Sequence, residues 1–200
     1  MSLVTLRRYL LALTTSCILL LLSLLLHPLI PTAAAQTTPT LQVALSPSSP
    51  AAQSVQAGAE HHRFTDIVVT AGSGGAVELT SLRVRALSEQ AYVYPHEALR
   101  NVRVVNRATN TALGTLSTLS YHDGGWWWPS ATGQILFDTP LTLQPSEVIT
   151  LSLEADVAWA TMGTRPYRLG VAEATSLQAR AAGGTAPVAV QLVANAHNGV

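Results

Sequence analysis

Trp126, Trp127 and Trp128 form an unbroken run, preceded by Tyr121, His122 and Asp123 and by the pair Gly124-Gly125. Side chains alternate faces along a strand, so three successive indoles cannot all enter one core. At least one is left to solvent or to covering a loop. An exposed indole stacks on a sugar ring or anchors a protein interface. Tyr121 and His122 beside the run supply polar contacts. The ligand-binding candidates are therefore Tyr121, His122, Trp126, Trp127 and Trp128. A competing reading uses burial alone: Trp126 and Trp128 cap the end of the fold, and Trp127 shields a loop.

Other constellations are thinner. His61-His62 could reach a metal together with His96 or His122. Adjacent histidines on a strand diverge, however, and no ligand spacing is present, so solvated polar residues are the expectation. Glu154, Asp156 and Asp138 could hold calcium, yet no Asp-x-Asp-x-Asp-Gly loop occurs, and an exposed acidic face is expected instead. No metal and no cofactor is assigned. Hydrolysis needs a nucleophile, a base and an orienting group. Serines, histidines and aspartates exist, but no G-x-S-x-G elbow does. Nothing singles out a pair of glycosidase carboxylates. There is no phosphate loop and no dinucleotide fingerprint. No catalytic residue is assigned, and the chain reads as a non-enzyme.

The elements that position these residues begin after a leader. Arg7 and Arg8 precede an apolar run from Leu10 to Leu26, and Thr32-Ala33-Ala34-Ala35 follows. These are the three parts of a secretory signal, with cleavage expected after Ala35. The run is nearly long enough to span a bilayer, so an uncleaved anchor is the alternative. Residues 36–40 form a lead-in, 41–194 the domain, and 195–200 a frayed tail. The expected location is secreted or at the cell surface. Cys17, in the leader, is the only cysteine, so no disulfide is expected beyond it. A domain of this length can be stabilised by its core alone. All eleven basic residues are arginine, and removing Arg7 and Arg8 leaves nine against eleven acids, a charge near −2. There is no basic stripe for nucleic acid and no polybasic segment for lipid. Membrane contact is expected only through the N-terminal segment, if uncleaved.

Within the domain the dominant pattern is period two. In Leu141 to Val157, LTLQPSEVITLSLEADV, two strands flank Pro145-Ser146 and read as a hairpin. Ile149, Leu151, Leu153, Ala155 and Val157 point one way; Thr150, Ser152, Glu154 and Asp156 point to water. Further strands are expected at Leu41 to Leu45, Phe64 to Thr70, Val77 to Ala86, Leu99 to Val104, Leu113 to Leu119, Ile135 to Phe137, Arg165 to Ala172 and Val188 to Val193. Ala71 to Gly75 reads as a hairpin loop, Asn106 to Thr111 as a turn, and Gln90 to Glu97 as a loop or short edge. The alternation slips by one at Thr80-Ser81, as at a β-bulge, and leaves Arg83 and Arg85 on the wet face. Seven to ten short strands with Gly/Pro/Ser turns argue an all-β sandwich.

Three segments taken together carry a resemblance. SPSSPAAQSVQAGAE, then TSLRVRAL with LRNVRVVNRATNTALGTL, then LTLQPSEVITLSLEADV resemble, in that order, the immunoglobulin-like modules of bacterial secreted and surface proteins. The resemblance covers most of residues 41 to 172. It implies an extracellular immunoglobulin-like antiparallel β-sandwich that is one part of a surface or adhesive protein, and it brings no catalytic residue. Two functions follow from the whole reading. One is a structural or interaction module that holds a protein partner through strand edges and the Trp126 to Trp128 loop. The other is a carbohydrate-binding module with the same loop as its stacking platform.

Overall fold

The computed structural model describes residues 38–51, 55–88, 93–122, 129–159, 167–171 and 173–193. The leader (1–35), the tail (195–200) and the Trp126 to Trp128 run fall outside these residues. The described chain is an all-β, two-sheet sandwich. Its strands are β1 (Thr40–Leu45), β2 (His62–Ala71), β3 (Val77–Ser88), β4 (Leu99–Asn106), β5 (Thr111–Thr118), β6 (Ser120–His122), β7 (Ser130–Leu143), β8 (Val148–Val157), β9 (Tyr167–Gly170), β10 (Leu177–Ala181) and β11 (Ala189–Leu192). A single helical turn, α1 (Pro95–Ala98), lies between β3 and β4 where a loop or edge was expected. Its first residue is proline, whose fixed φ and missing N–H suit a helix start.

The larger sheet has six strands in the order β11-β1-β2-β8-β4-β5. The smaller runs β10-β3-β7-β6, with β9 on β3 beyond the end of β10. Every pairing is antiparallel except β1 with β11. Alternation decides what is inside. Leu41, Val43, Ile67, Val69, Leu151, Leu153 and Ala155 from the larger sheet face Leu79, Leu82, Val84, Ala131 and Ile135 from the smaller, all fully buried. Each such leucine contributes about 2 kcal/mol of apolar burial.

Two expected hairpins are not hairpins. β7 and β8 do not pair; the turn between them carries the chain from one sheet to the other, as does the link between β2 and β3. Turn chemistry explains the first. The Glu147 N–H bonds the Gln144 carbonyl at 3.0 Å, and Ser146 has φ 65°. Pro145 with φ near −65° followed by a positive φ is a type II turn. That turn does not match the twist of a two-stranded ribbon, so the strands splay apart. The two crossings brace each other. The Ser146 N–H reaches the Gly72 carbonyl at 3.2 Å, and the Ala71 N–H reaches the Glu147 carbonyl at 2.9 Å. The β4–β5 turn is a true hairpin, as expected.

The slip at Thr80-Ser81 is a bulge. Leu79 and Ser81 are paired on both sides, and Thr80 has no partner in either ladder. The sheets close together along β5 and β7. There a Cβ on Gly114 would overlap the Leu136 carbonyl, and one on Gly133 would overlap Leu116.

The outer face of β8 departs from expectation. Ser152 and Glu154 are buried instead of solvated. β8 is interior to its sheet, and the segment after β1 folds over that face. Ser49 Oγ accepts the Asp66 N–H at 3.1 Å, and Ser152 Oγ donates to buried Asp66 at 2.5 Å.

Candidate functional site

One end of the sandwich collects most of the candidate residues. There β2 and β4 start, β8 and β3 end, β6 ends, and β7 and β9 start. Tyr121 and His122 are both on β6 at this end, but the structure does not aim them at one ligand. Tyr121 is in register with inward-facing Ala131, and His122 with Ser130 on the opposite face. Tyr121, 48% exposed, stands in a ring cluster with Tyr94 (5.9 Å between centroids) and His96 (5.4 Å). His122 turns to the outer face of the smaller sheet. Trp126, Trp127 and Trp128 lie outside the described residues.

On that outer face is an open cleft of about 180 Å³, lined by Arg83, Val84, Arg85, His122, Thr132, Glu173 and Ser176. Its construction follows from the strands. Arg83 and Arg85 alternate with buried Val84 on β3, so both cations share the wet face, as their spacing predicted. Thr132 is directly across from Arg85 on β7. Glu173 and Ser176 come from a short 3-10 turn, Ala174–Ser176, between β9 and β10. This turn bridges the gap those two strands leave along β3. The turn is closed by the Ser176 N–H on the Glu173 main-chain carbonyl at 3.0 Å and by the Glu173 N–H on Ser176 Oγ at 3.3 Å, and the Glu173 carboxylate accepts the Thr175 hydroxyl at 3.0 Å. Arg85 Nε is buried and has no hydrogen-bond partner. Nothing in the local sequence of Arg83 or Arg85 announces this cleft, because its other walls come from residues 122, 132 and 173–176.

The acids considered for calcium are otherwise engaged or apart. Glu154 takes Arg103 Nη2 at 2.6 Å and Nε at 3.0 Å. Asp156 accepts the His61 N–H at 2.8 Å and Asn101 Nδ2 at 2.7 Å. Among the described residues no three His, Cys, Asp or Glu side chains gather as a metal site. The adjacent histidines diverge: His61 turns to Asp156 and Arg103, while His62 packs edge-on against Phe64 at 4.8 Å. His62 is partly buried, and that burial lowers its pKa, so it is not the solvated residue expected.

Asp156 is the knot of a clasp at this end. Its two donors, His61 (φ 55°) and Asn101 (φ 47°), both hold left-handed backbone conformations. Such conformations are uncommon outside glycine and persist where neighbours enforce them. Burial pushes the Asp156 carboxyl up, but the bonds from Asn101 and the His61 N–H, with the charges of His61 and Arg103, outweigh it and hold the group below its ordinary range. A carboxyl lower in the folded state stabilises the fold above its unfolded pKa, and that contribution is lost as pH falls through the folded value. The difference in Tm between wild type and Asp156→Asn is therefore expected to be full at neutral pH. It should close as pH drops below about 4. A difference that stays constant through acid titration would show that the charge of Asp156 plays no part.

Trp159, just past β8, is 82% exposed, and Gly58 (φ 82°) lies against the atoms of its fused ring bond. A side chain at position 58 would strike the indole. The sequence pattern had drawn attention to the other three tryptophans, not to this one.

No protein-family model matches the chain, and no curated protein matches its sequence. Among solved structures, a family 35 carbohydrate-binding module from an environmental isolate is similar at 11% identity and TM-score 0.27, covering 68% of this chain and 86% of its own. The second type II cohesin module of a cellulosomal adaptor scaffoldin from Acetivibrio cellulolyticus is similar at 7% identity and TM-score 0.23, over 78% and 94%. Xyl-CBM35, in complex with a disaccharide containing glucuronic acid, is similar at 19% identity and TM-score 0.22, over 70% and 88%. Likenesses this distant assign no ligand.

Proposed function

We propose that this chain is a non-catalytic binding module of the cell exterior that holds a polysaccharide on the outer face of its smaller sheet. The observation that carries the reading is the cleft between Arg83, Arg85, His122, Thr132, Glu173 and Ser176. Convergent side-chain donors in an open groove suit a ligand rich in hydroxyls, since each sugar oxygen can accept a bond. The size of the cleft, about 180 Å³, suits one sugar unit of a longer chain. A binding role is favoured over hydrolysis because Glu173 is the one carboxylate among the described residues that line the cleft, and its Oε2 is taken by the Thr175 hydroxyl. Among the described residues no two carboxylates face each other there, as a glycosidase would need. His122 belongs to this cleft and Tyr121 does not; Trp126 to Trp128, which follow His122 closely in sequence, are proposed as the stacking side chains.

Affinity electrophoresis against a panel of neutral and acidic polysaccharides tests the reading. Retardation by at least one polymer is expected, weakened by Arg85→Ala in the cleft and by Trp127→Ala in the run. Free migration of the wild type through every polymer would overturn it.

One observation supports a protein partner instead. β6 is a three-residue strand at the edge of the smaller sheet, and each of its residues is exposed. A partner strand laid along it would extend that sheet. Retention of a protein, with no polysaccharide bound, would favour this second reading.

A further inference from the structure

We infer that the cleft takes a carboxylate, so that the ligand is an acidic polysaccharide carrying uronate-type groups; this rests on reading the cleft as a polysaccharide site. The argument is one of unmatched charge. Arg83 and Arg85 share one face of β3, about 7 Å apart along the strand, and both line the cleft. Three half-buried arginines have acids (Arg63 with Asp66 at 3.8 Å, Arg103 with Glu154 at 2.6 Å, Arg180 with Glu78 at 2.8 Å), and half-buried Arg100 has the His96 carbonyl at 2.5 Å; Arg83 is exposed. Among the described residues, neither Arg83 nor Arg85 has an acid within ion-pairing distance. Glu173, which lines the same cleft, accepts the Thr175 hydroxyl at Oε2 and forms no ion pair with either arginine.

Arg85 is only half-exposed: its Nε–H is buried without an acceptor, beyond a ligand's reach, and the rest of its side chain meets the cleft. The complement of a guanidinium edge is a planar pair of oxygens, which a carboxylate presents and a neutral hydroxyl does not. Thr132, across the strand from Arg85, and Ser176 on the facing turn leave hydroxyls for the remaining sugar oxygens. Among the described residues the cleft thus has two arginines and one carboxylate, Glu173. That balance rejects a cationic polymer and favours an anionic one.

The test uses three soluble polymers with the intact protein: polygalacturonate, dextran sulfate and dextran. Dissociation constants are measured at a fixed, moderate salt concentration. Polygalacturonate is expected to bind, dextran not. Arg85→Lys keeps the charge but loses the planar fork, and should weaken polygalacturonate binding about tenfold, the scale of one lost charge-assisted bond. Arg83→Lys should weaken it in the same direction. Arg107→Gln, a charge removed in the β4–β5 turn outside the cleft, should leave it unchanged. Thermal melts of each variant confirm that the sandwich persists.

Three results would overturn the inference. If dextran binds as tightly as polygalacturonate and the Arg85 and Arg83 variants weaken both, the polysaccharide reading stands and the carboxylate falls. If dextran sulfate is preferred, or if Arg107→Gln weakens binding as much as the cleft variants do, the acidic group is not a carboxylate held in this cleft. If none of the three polymers binds, and none is retained in the wider panel either, both readings fail together.

Discussion

Alanine in place of Arg103 is expected to cost about 3 kcal/mol of stability, the range found when one member of a buried ion pair is removed. Arg103 and Glu154 are opposite each other on β4 and β8. The Glu154 side chain is only 9% exposed and that of Arg103 20%. Both Arg103 bonds land on the same carboxylate oxygen, at 2.6 and 3.0 Å. Arg63 lies beside Glu154 across β2 but turns to Asp66. Removing Arg103 therefore strands a carboxylate in a dry setting. Urea unfolding measures the loss, read as a lower midpoint with unchanged slope. The double variant Arg103→Ala, Glu154→Ala should recover much of it, because the stranded charge goes too. A single-variant loss under about 1 kcal/mol would place this pair with ordinary surface ion pairs.

Alanine at Gly114 should cost about 2–3 kcal/mol, as overpacking does. The added methyl would occupy the space held by the Leu136 carbonyl and would press on Ile135 Cγ2. The first of these is main chain, so no rotamer change relieves the overlap. β5 is an edge strand held on one side only, by β4, and it must move away from β7. Hydrogen exchange reads this directly. Protection should fall in Thr111–Thr118 and hold in the interior strands β2 and β8. Undiminished protection throughout β5, with an unchanged melting temperature, would mean the sheets tolerate a wider spacing there.

These two sites mark where the sequence was legible and where it was not. Alternation assigned the inner face of β8 correctly: Leu151, Leu153, Ala155 and Val157 are buried and Ile149 partly so. It also located the Thr80 bulge, since a slip of period two has few other causes. Alternation cannot name a strand's neighbour. Thus LTLQPSEVITLSLEADV read as a hairpin, although its halves belong to different sheets. The signal was present: proline at the second turn position selects types I and II, which do not join ribbons. Nor does a polar stripe reveal whether another segment covers it. Ser152 and Glu154 look solvated from their own strand alone; Arg103, Asp66 and Ser49 close over that face from β4, β2 and the segment after β1.

The candidate site shows the same divide. Arg83 and Arg85 were placed on the wet face by spacing, and the structure agrees. Their joining with His122, Thr132, Glu173 and Ser176 required the topology, because those residues come from β6, β7 and a turn about ninety positions downstream. Tyr121 and His122 looked like one contact group because they are adjacent. Adjacency on a strand means opposite faces, and the two serve different surroundings. Trp159 drew no attention as a lone residue in sequence, yet it is the most exposed large apolar side chain among the described residues.

The pairing of β1 with β11 sets how the domain bears load. The first and last of the described strands run parallel, Thr40 beside Ala189 and Val43 beside Leu192. A pull on the chain before Thr40 and after Leu192 would slide these two strands past each other lengthwise. Their hydrogen bonds, evenly spaced and slanted as in any parallel pair, would then resist together instead of parting one rung at a time. A module tethered through one end of its chain while tension reaches it through the other would meet that tension in shear, the direction in which a short ladder yields last.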